Sequence, residues 1–427
     1  MSPNPQSAIT NSRPEAAGAR GSGAGRGATG REGHVLIAGA GIGGLACALL
    51  LARRGFSSTI LERAPKLSEI GAGIQISPNA SHLLLELGLG AQLAEYAVAP
   101  EALLLRAGRS GKILQRMELG AAAVARYGSP YWVVHRTDLQ NVLAAAVEAE
   151  PACRIALGAQ LKSFESNSEQ VVVTVNDRDT YSGSALVGAD GVRSSVRRLL
   201  LGDGEPEFSG YIAWRGTMAA DAVPEELAGR ESGLWIGPGA HLAHFPLRSG
   251  RIVNVVAIVS SDALAPDWGE SCELGALDPF FAGWAEPARD LIAGVGQWLR
   301  WPLFDRAPAS RWSRGRVTLL GDAAHPMLPH LGQGVNQAIE DGVALSMLLE
   351  GRSSADVPRL LQTYERLRKP RTDMVQTEAR KNGMRYDSLY DSIEQRDHEI
   401  RNIAGLRLSL YDYDVEKEVK EAMAESV

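Results

Sequence analysis

The stretch His34 to Arg63, HVLIAGAGIGGLACALLLARRGFSSTILER, decides the fold. His34 to Ala38 is an apolar run that reads as a buried strand. Gly39, Gly41 and Gly44 follow with G-x-G-x-x-G spacing, and Gly43 adds a fourth glycine. Leu45 to Arg53 reads as an apolar helix, and Ser58 to Leu61 as a second strand ending at Glu62. Gly39 permits a tight turn off the strand. Gly41 leaves no side chain in the way of a pyrophosphate, and Gly44 lets the helix lie close on the sheet. The helix start presents unpaired N–H groups and a positive dipole end to phosphates. Glu62 falls 18 residues after Gly44 (62 − 44), where a carboxylate can accept hydrogen bonds from a ribose diol. Strand, glycines, helix, strand and terminal acid together point to an ADP-containing dinucleotide. The bland alternative is a glycine turn used for packing alone.

The 427 residues leave room for two or three domains. A net charge of −6 argues against a general nucleic-acid footprint. The pairs Arg53-Arg54 and Arg197-Arg198 read as solvated helix ends. Cys47, Cys153 and Cys272 are odd in number, far apart and form no C-x-x-C. They point to a reducing, cytoplasmic setting and against a disulfide framework or a metal site. No apolar run approaches the roughly 18 residues of a membrane span, so no membrane partner is expected. Residues 1–32, rich in Gly, Ala, Ser, Pro and Arg, read as a disordered tail, with a transit peptide as the alternative.

Along the chain, Gly71 to Ala80 is glycine-rich and stops at Pro78, and Ser81 to Leu87 reads as a short helix. Leu103 to Met117 reads as a hairpin, and Tyr131 to Val134 as a strand. Thr137 or Asp138 is expected to cap a helix from Leu139 to Ala149. Ile155–Leu161, Val171–Val175 and Ala185–Val187 read as strands, the last running into Gly188-Ala189-Asp190-Gly191. Gly210–Arg215 and His241–Ser260 are β-branched and aromatic, with Gly and Pro turns. That texture suggests an antiparallel sheet inserted into the first domain. Val317–Leu320 is a buried strand ending at Gly321-Asp322, before a glycine turn and a helix from Val335 to Leu349. The charged helix Pro358–Asn382 is read either as a homodimer contact or as an exposed face.

An Asp-Gly pair alone is usually a turn, and Gly321-Asp322 alone is a common strand end. In this order, however, GAGIGG at 39–44, GADGVRSSVR at 188–197 and LLGDAAHPM at 319–327 resemble the flavoprotein aromatic hydroxylases, the single-component class A monooxygenases. The resemblance extends through LGQGVNQAIEDG at 331–342 and covers most of residues 34–350. GIQISPNA, HRTDL, YIAWRG and the late Leu410-Tyr411-Asp412-Tyr413-Asp414 look most like the salicylate, 3-hydroxybenzoate and 6-hydroxynicotinate hydroxylase branch.

The resemblance implies an α/β fold: a Rossmann-like FAD-binding domain, an inserted, mainly antiparallel β-sheet substrate domain and a C-terminal helical segment. The expected boundaries are 33–105, 130–205 and 300–352 for the first, 106–129 and 206–299 for the second, and 353–427 for the third. It implies bound FAD and a transient NADH or NADPH. Gly39, Gly41, Gly43 and Gly44 would approach the pyrophosphate, Glu62 the ribose, and Arg63 the adenine end. Arg136 would lie on the phosphate–flavin side, with Leu161 also in the cofactor site. Asp190 and Gly191 would touch FAD and the passing nicotinamide. Asp322 would bond the ribityl or phosphate region. Gly334, Val335 and Asn336 would start a helix whose N–H groups face the flavin. No second strand-linked glycine motif occurs, which fits a nicotinamide that visits and leaves.

The implied chemistry is hydroxylation of a small phenolic or hydroxy-carboxylic aromatic by O2 through a flavin hydroperoxide. It needs a proton acceptor near the phenol and a pocket that excludes water. Some relatives carry His at the position of Gly210, and this chain does not. Replacement bases are Tyr211, His244, His325 and His330, with His325 read alternatively as shaping the flavin turn and His241 and His244 as satisfied strand residues. In a strand, Gly210, Ile212 and Trp214 share one face and Tyr211, Ala213 and Arg215 the other. Trp214 is expected on the pocket face, with Ile74, Gln75, Arg215 and Pro329 also lining the pocket. The competing readings are another flavin oxidoreductase of this fold (a reductase or an epoxidase) and a flavoprotein without turnover.

Overall fold

In a computed structural model, residues 33–67, 72–262, 270–272, 275–388 and 393–424 are described below. The expected tail at 1–32 and Gly71 lie outside them. A five-stranded parallel sheet runs in the spatial order Val317–Leu319, Ala185–Gly188, His34–Ala38, Ser57–Glu62, Cys153–Leu157. Four of its strands are largely buried, and only the edge strand Cys153–Leu157 is partly exposed. The helix Ile42–Arg53 follows the first strand and packs against the helices Arg136–Ala149 and Gly334–Leu349. Close approach at the glycine turn explains two residues. A Cβ on Gly44 would sit 2.1 Å from the Gly39 carbonyl oxygen. Gly39 itself has φ +102°, and a Cβ there would meet the Ala189 carbonyl at 2.5 Å.

The inserted sheet has eight strands, in the order Glu270–Cys272, Trp298–Asp305, Glu207–Ala219, Ile252–Ser260, Ala240–Leu247, Ser232–Gly237, Ala102–Ala107, Ile113–Glu118. Neighbours are antiparallel except Ser232–Gly237 beside Ala102–Ala107. The expected domain boundaries after residues 105 and 299 fall within the strands Ala102–Ala107 and Trp298–Asp305, both of which belong to this sheet. One face carries Ile212, Trp214, Trp235, Leu242 and Val255, packed with Leu291 and Ile292 from the helix Glu286–Ala293. The other face carries Arg215, His241, Ala243, Phe245, Val256 and Ile258 and looks into a cavity.

Three local expectations change. Pro78 opens the helix Pro78–Glu86 instead of ending a segment, because its missing N–H costs nothing at the first helical position. Asp138 is a buried first-turn residue of Arg136–Ala149, bonded to Arg248 at 3.0 and 3.1 Å, rather than a cap. The charged helix, now Val357–Asp387, buries Leu360, Leu361, Tyr364, Arg368 and Val375 inside the chain. Beyond it, the helices Ile393–Tyr411 and Val415–Ala424 return to the core.

Candidate active site

A cavity of about 650 Å³ runs from the glycine turn to the inserted sheet. Gly39, Gly41, Gly43, Glu62 and Arg63 line one end. Asp190, Gly191, Arg136 and Leu161 follow, then Asp322, Gly334 and Val335. Three turns distant in sequence thus meet in one groove, because all three leave the C-terminal ends of adjacent parallel strands.

The groove fits an elongated dinucleotide. A Cβ placed on Gly41 or Gly191 would meet nothing within 4 Å, so the space above both turns is open to a ligand. The Glu62 carboxylate accepts the backbone N–H of Ala40 and of Ala64, each at 2.8 Å, and is thereby fixed at the groove wall. Asp190 accepts from the Ser194 hydroxyl and from the N–H of Ser195 and Val196 at 2.7 and 3.2 Å, bracing the helix Ser195–Leu201. Burial pushes the Asp190 pKa up against these bonds. Gly44 and Asn336 are not in the wall. Asn336 accepts from Ser77 N–H at 2.9 Å and donates to the carbonyls of Gln75 and Gly332 at 3.0 and 2.7 Å, so it ties two turns together from behind.

Beneath the third turn lies a buried charge network. Asp341 accepts from Gly321 N–H at 3.0 Å, His325 Nε2 at 2.6 Å and Arg368 Nε at 2.8 Å. Burial opposes its charge, but His325 and Arg368 drive its pKa down to about 2. Glu340 takes Arg368 Nη1 at 2.7 Å, Arg371 Nε at 2.9 Å and Asn79 Nδ2 at 2.6 Å. His325 therefore supports the turn that carries Asp322, as its place in the sequence suggests.

At the sheet end, His330, Ile74, Gln75, Pro329 and Arg215 line the cavity. His330 Nδ1 lies 3.1 Å from His241 Nε2, and His241 Nδ1 lies 2.7 Å from Asp387 Oδ1. The carboxylate fixes the tautomers. His241 Nδ1–H donates to Asp387, so His241 Nε2 accepts, His330 Nδ1–H donates, and His330 Nε2 is left without a donor, closed off against Gly383 of the long helix. Burial, and then His241, push the His330 pKa well below the ordinary imidazole value, so the ring is neutral. Its backbone carbonyl accepts from Asn382 Nδ2 at 3.0 Å and the Tyr386 hydroxyl at 3.2 Å, pinning the turn to the long helix.

Three candidates sit differently from expectation. Tyr211 lies behind His330, with ring centroids 5.3 Å apart. Burial first, and then Asp387, raise its pKa to about 12, which unsuits it as a base at neutral pH. His244 and Trp214 occupy the helix-side face of the sheet, since strand side chains alternate. Burial and Arg106 push the His244 pKa down to about 3, away from the cavity. Gly210 has φ +80° at the bulge between Phe208 and Ile212, a conformation that disfavours the His that some relatives carry there. His241, Asp387, Tyr386 and Arg407 were missed. His241 alternates in step with Ala243 and Phe245, a signal present in the sequence; Arg407 arrives from a segment with little pattern.

The family described as FAD binding domain matches residues 32–379. The chain is 40% identical over 347 residues to 3-hydroxybenzoate 6-hydroxylase 1 from Aquipseudomonas alcaligenes, covering 81% of this chain and 88% of that protein. It is 38% identical over 351 residues to 3-amino-4-hydroxybenzoate 2-monooxygenase from Streptomyces cremeus, covering 82% and 87%. The structure of a salicylate hydroxylase substrate complex superposes with TM-score 0.80 at 26% identity, over 91% of this chain and 97% of that one.

Proposed function

The chain belongs to the FAD-dependent aromatic hydroxylases, and we propose that its substrate is a small ring bearing a hydroxyl and a carboxylate, a hydroxybenzoate in the first instance. The enzyme is a monooxygenase that uses NAD(P)H and O2 to hydroxylate an aromatic ring. When bound, FAD supplies the redox chemistry that takes electrons from NAD(P)H and transfers one oxygen atom of O2 to the ring.

The chain's own residues do the rest. Gly41 and Gly191 leave the phosphate path open, Glu62 would meet the ribose, and the N–H groups at the start of the helix Gly334–Leu349 would face the cofactor ring. The inserted sheet roofs the ring with Ala243, Phe245, Val256 and Ile258 and keeps water off it. His330 takes the phenol proton at Nε2, which a small shift of the Pro329–Leu331 turn away from Gly383 must first expose, and so raises electron density on the ring. Its own Nδ1 proton can then pass to His241 Nε2, with Asp387 stabilising the charge.

One observation supports this reading above others: a neutral histidine, aligned by a second histidine and a carboxylate, in the wall of the cavity that the three turns open into. The test is to purify the flavin-loaded protein and follow NADH and NADPH oxidation with 3-hydroxybenzoate, salicylate and 6-hydroxynicotinate, identifying products by mass. Stimulated oxidation with a hydroxylated product supports it. Oxidation that no hydroxylated aromatic acid stimulates refutes it.

A further inference from the structure

We propose that Arg407, delivered by the helix Ile393–Tyr411, receives the carboxylate of the aromatic substrate and so selects acids over neutral rings. This rests on the hydroxybenzoate reading above and adds a residue to it. Arg407 lines the cavity and is 6% exposed. Its Nη2 donates to the Tyr386 hydroxyl at 2.9 Å, the Tyr411 hydroxyl is a second neighbour, and Nη1, itself buried, has no acceptor among the described residues. Burial works against its charge, but the phenol oxygens of Tyr386, Tyr411 and Tyr131 around it hold its pKa above the ordinary arginine value. The site is therefore a cation at every working pH.

The other buried arginines show what is missing. Arg368 has Glu340 and Asp341, Arg197 and Arg306 share Asp203, and Arg316, without a carboxylate, has the carbonyls of Ser168 and Ser184. Among the described residues Arg407 has no carboxylate. A buried charge without a counter-charge is costly, and an arriving anion removes that cost. The planar guanidinium matches a carboxylate with two parallel donors, and the unpaired Nη1 can supply one of them once the side chain turns to meet it.

Among the described residues Arg215 also lacks an ion pair, but its guanidinium lies 5.0 Å over the Trp301 ring and faces Arg136, on the cofactor side. Arg407 instead faces the apolar side chains of Leu103 and Leu234 at the far wall. Its position is also tied to the base. Arg407 bonds Tyr386, and Tyr386 bonds the His330 carbonyl at 3.2 Å. A carboxylate on Arg407 thus sets the ring's register relative to His330 Nε2, so one residue governs both affinity and the position hydroxylated.

The experiment titrates the flavin-loaded wild type, Arg407→Met and Arg407→Lys with benzoate and with benzamide, reading the flavin absorbance change. Benzoate should bind the wild type, and Arg407→Met should weaken it about 30-fold or more while benzamide moves less than about threefold. Arg407→Lys should fall between. The neutral amide reports whether the pocket has kept its shape. Equal losses for both probes, benzoate binding unchanged in Arg407→Met, or no benzoate binding to the wild type would each overturn the assignment. Arg407-dependent benzoate binding in an enzyme that hydroxylates no hydroxybenzoate would support the anion site and refute the proposed substrate.

Discussion

Replacing His330 with Gln removes a proton acceptor and little else. The backbone of the Pro329–Leu331 turn stays pinned, because Asn382 and Tyr386 bond the carbonyl of residue 330 and not its ring. A Gln amide can still donate to His241 Nε2 in place of Nδ1–H, but it cannot take up a proton. A positioned base is worth roughly 100- to 10,000-fold, or about 3–5 kcal/mol at 1.36 kcal/mol per tenfold. The assay measures hydroxylated product and NAD(P)H consumed across roughly pH 6 to 10, the range below the ionisation of a phenol. His330 titrates well below its ordinary value, so the wild type keeps its base unprotonated throughout, and the hydroxylation rate should be flat. The variant must wait for the phenol to ionise by itself. Its rate should start at least about 100-fold lower near neutral pH and climb about tenfold per pH unit, while uncoupled NAD(P)H oxidation persists. A variant within about threefold of wild type at neutral pH, or one with the same flat profile, refutes the role.

Gly41→Val should leave the unliganded fold intact, since its side chain meets open space, with Tm changed by less than about 2 °C. It should abolish flavin retention on purification, and wild-type flavin content would contradict the cofactor path. Arg368→Met leaves Glu340 and Asp341 buried without their shared cation and should cost about 3–5 kcal/mol, read as a fall in the denaturant midpoint. Asp341 has a folded pKa of about 2 against an ordinary 3.8, so its contribution is full above about pH 4 and is lost as pH falls toward 2. That difference of 1.8 units corresponds to about 2 kcal/mol, and Asp341→Asn should flatten the acid limb of the stability curve by that amount.

The cofactor half was legible because backbone geometry dictates it. Glycines at 39, 41 and 44, an acid at the second strand end and two further strand-end turns leave local signatures that survive without any tertiary knowledge. The substrate half was legible only in part. Alternation told which of Tyr211 to Arg215 share a face, but not which face meets the cavity, and Trp214 and His244 were placed on the wrong one. That choice is made by the helix Glu286–Ala293 covering the opposite side, a long-range event. Tyr386, Asp387 and Arg407 come from helices whose charged sequence resembles a solvated face. Their burial follows from packing that the sequence hides: Val375, Ala379, Ile400, Ile403 and Leu410 seat both helices against Leu234, Ile236 and Phe245 of the inserted sheet.

A crystal structure of the flavin-loaded enzyme with 3-hydroxybenzoate tests the central claim most directly. The expected result is one FAD with its pyrophosphate over Gly41, its ring at Gly334, and the substrate hydroxyl at His330 Nε2 with the carboxylate at Arg407. FAD lying outside the groove shared by Gly41, Asp190 and Asp322, or a substrate whose hydroxyl points away from His330, would contradict it.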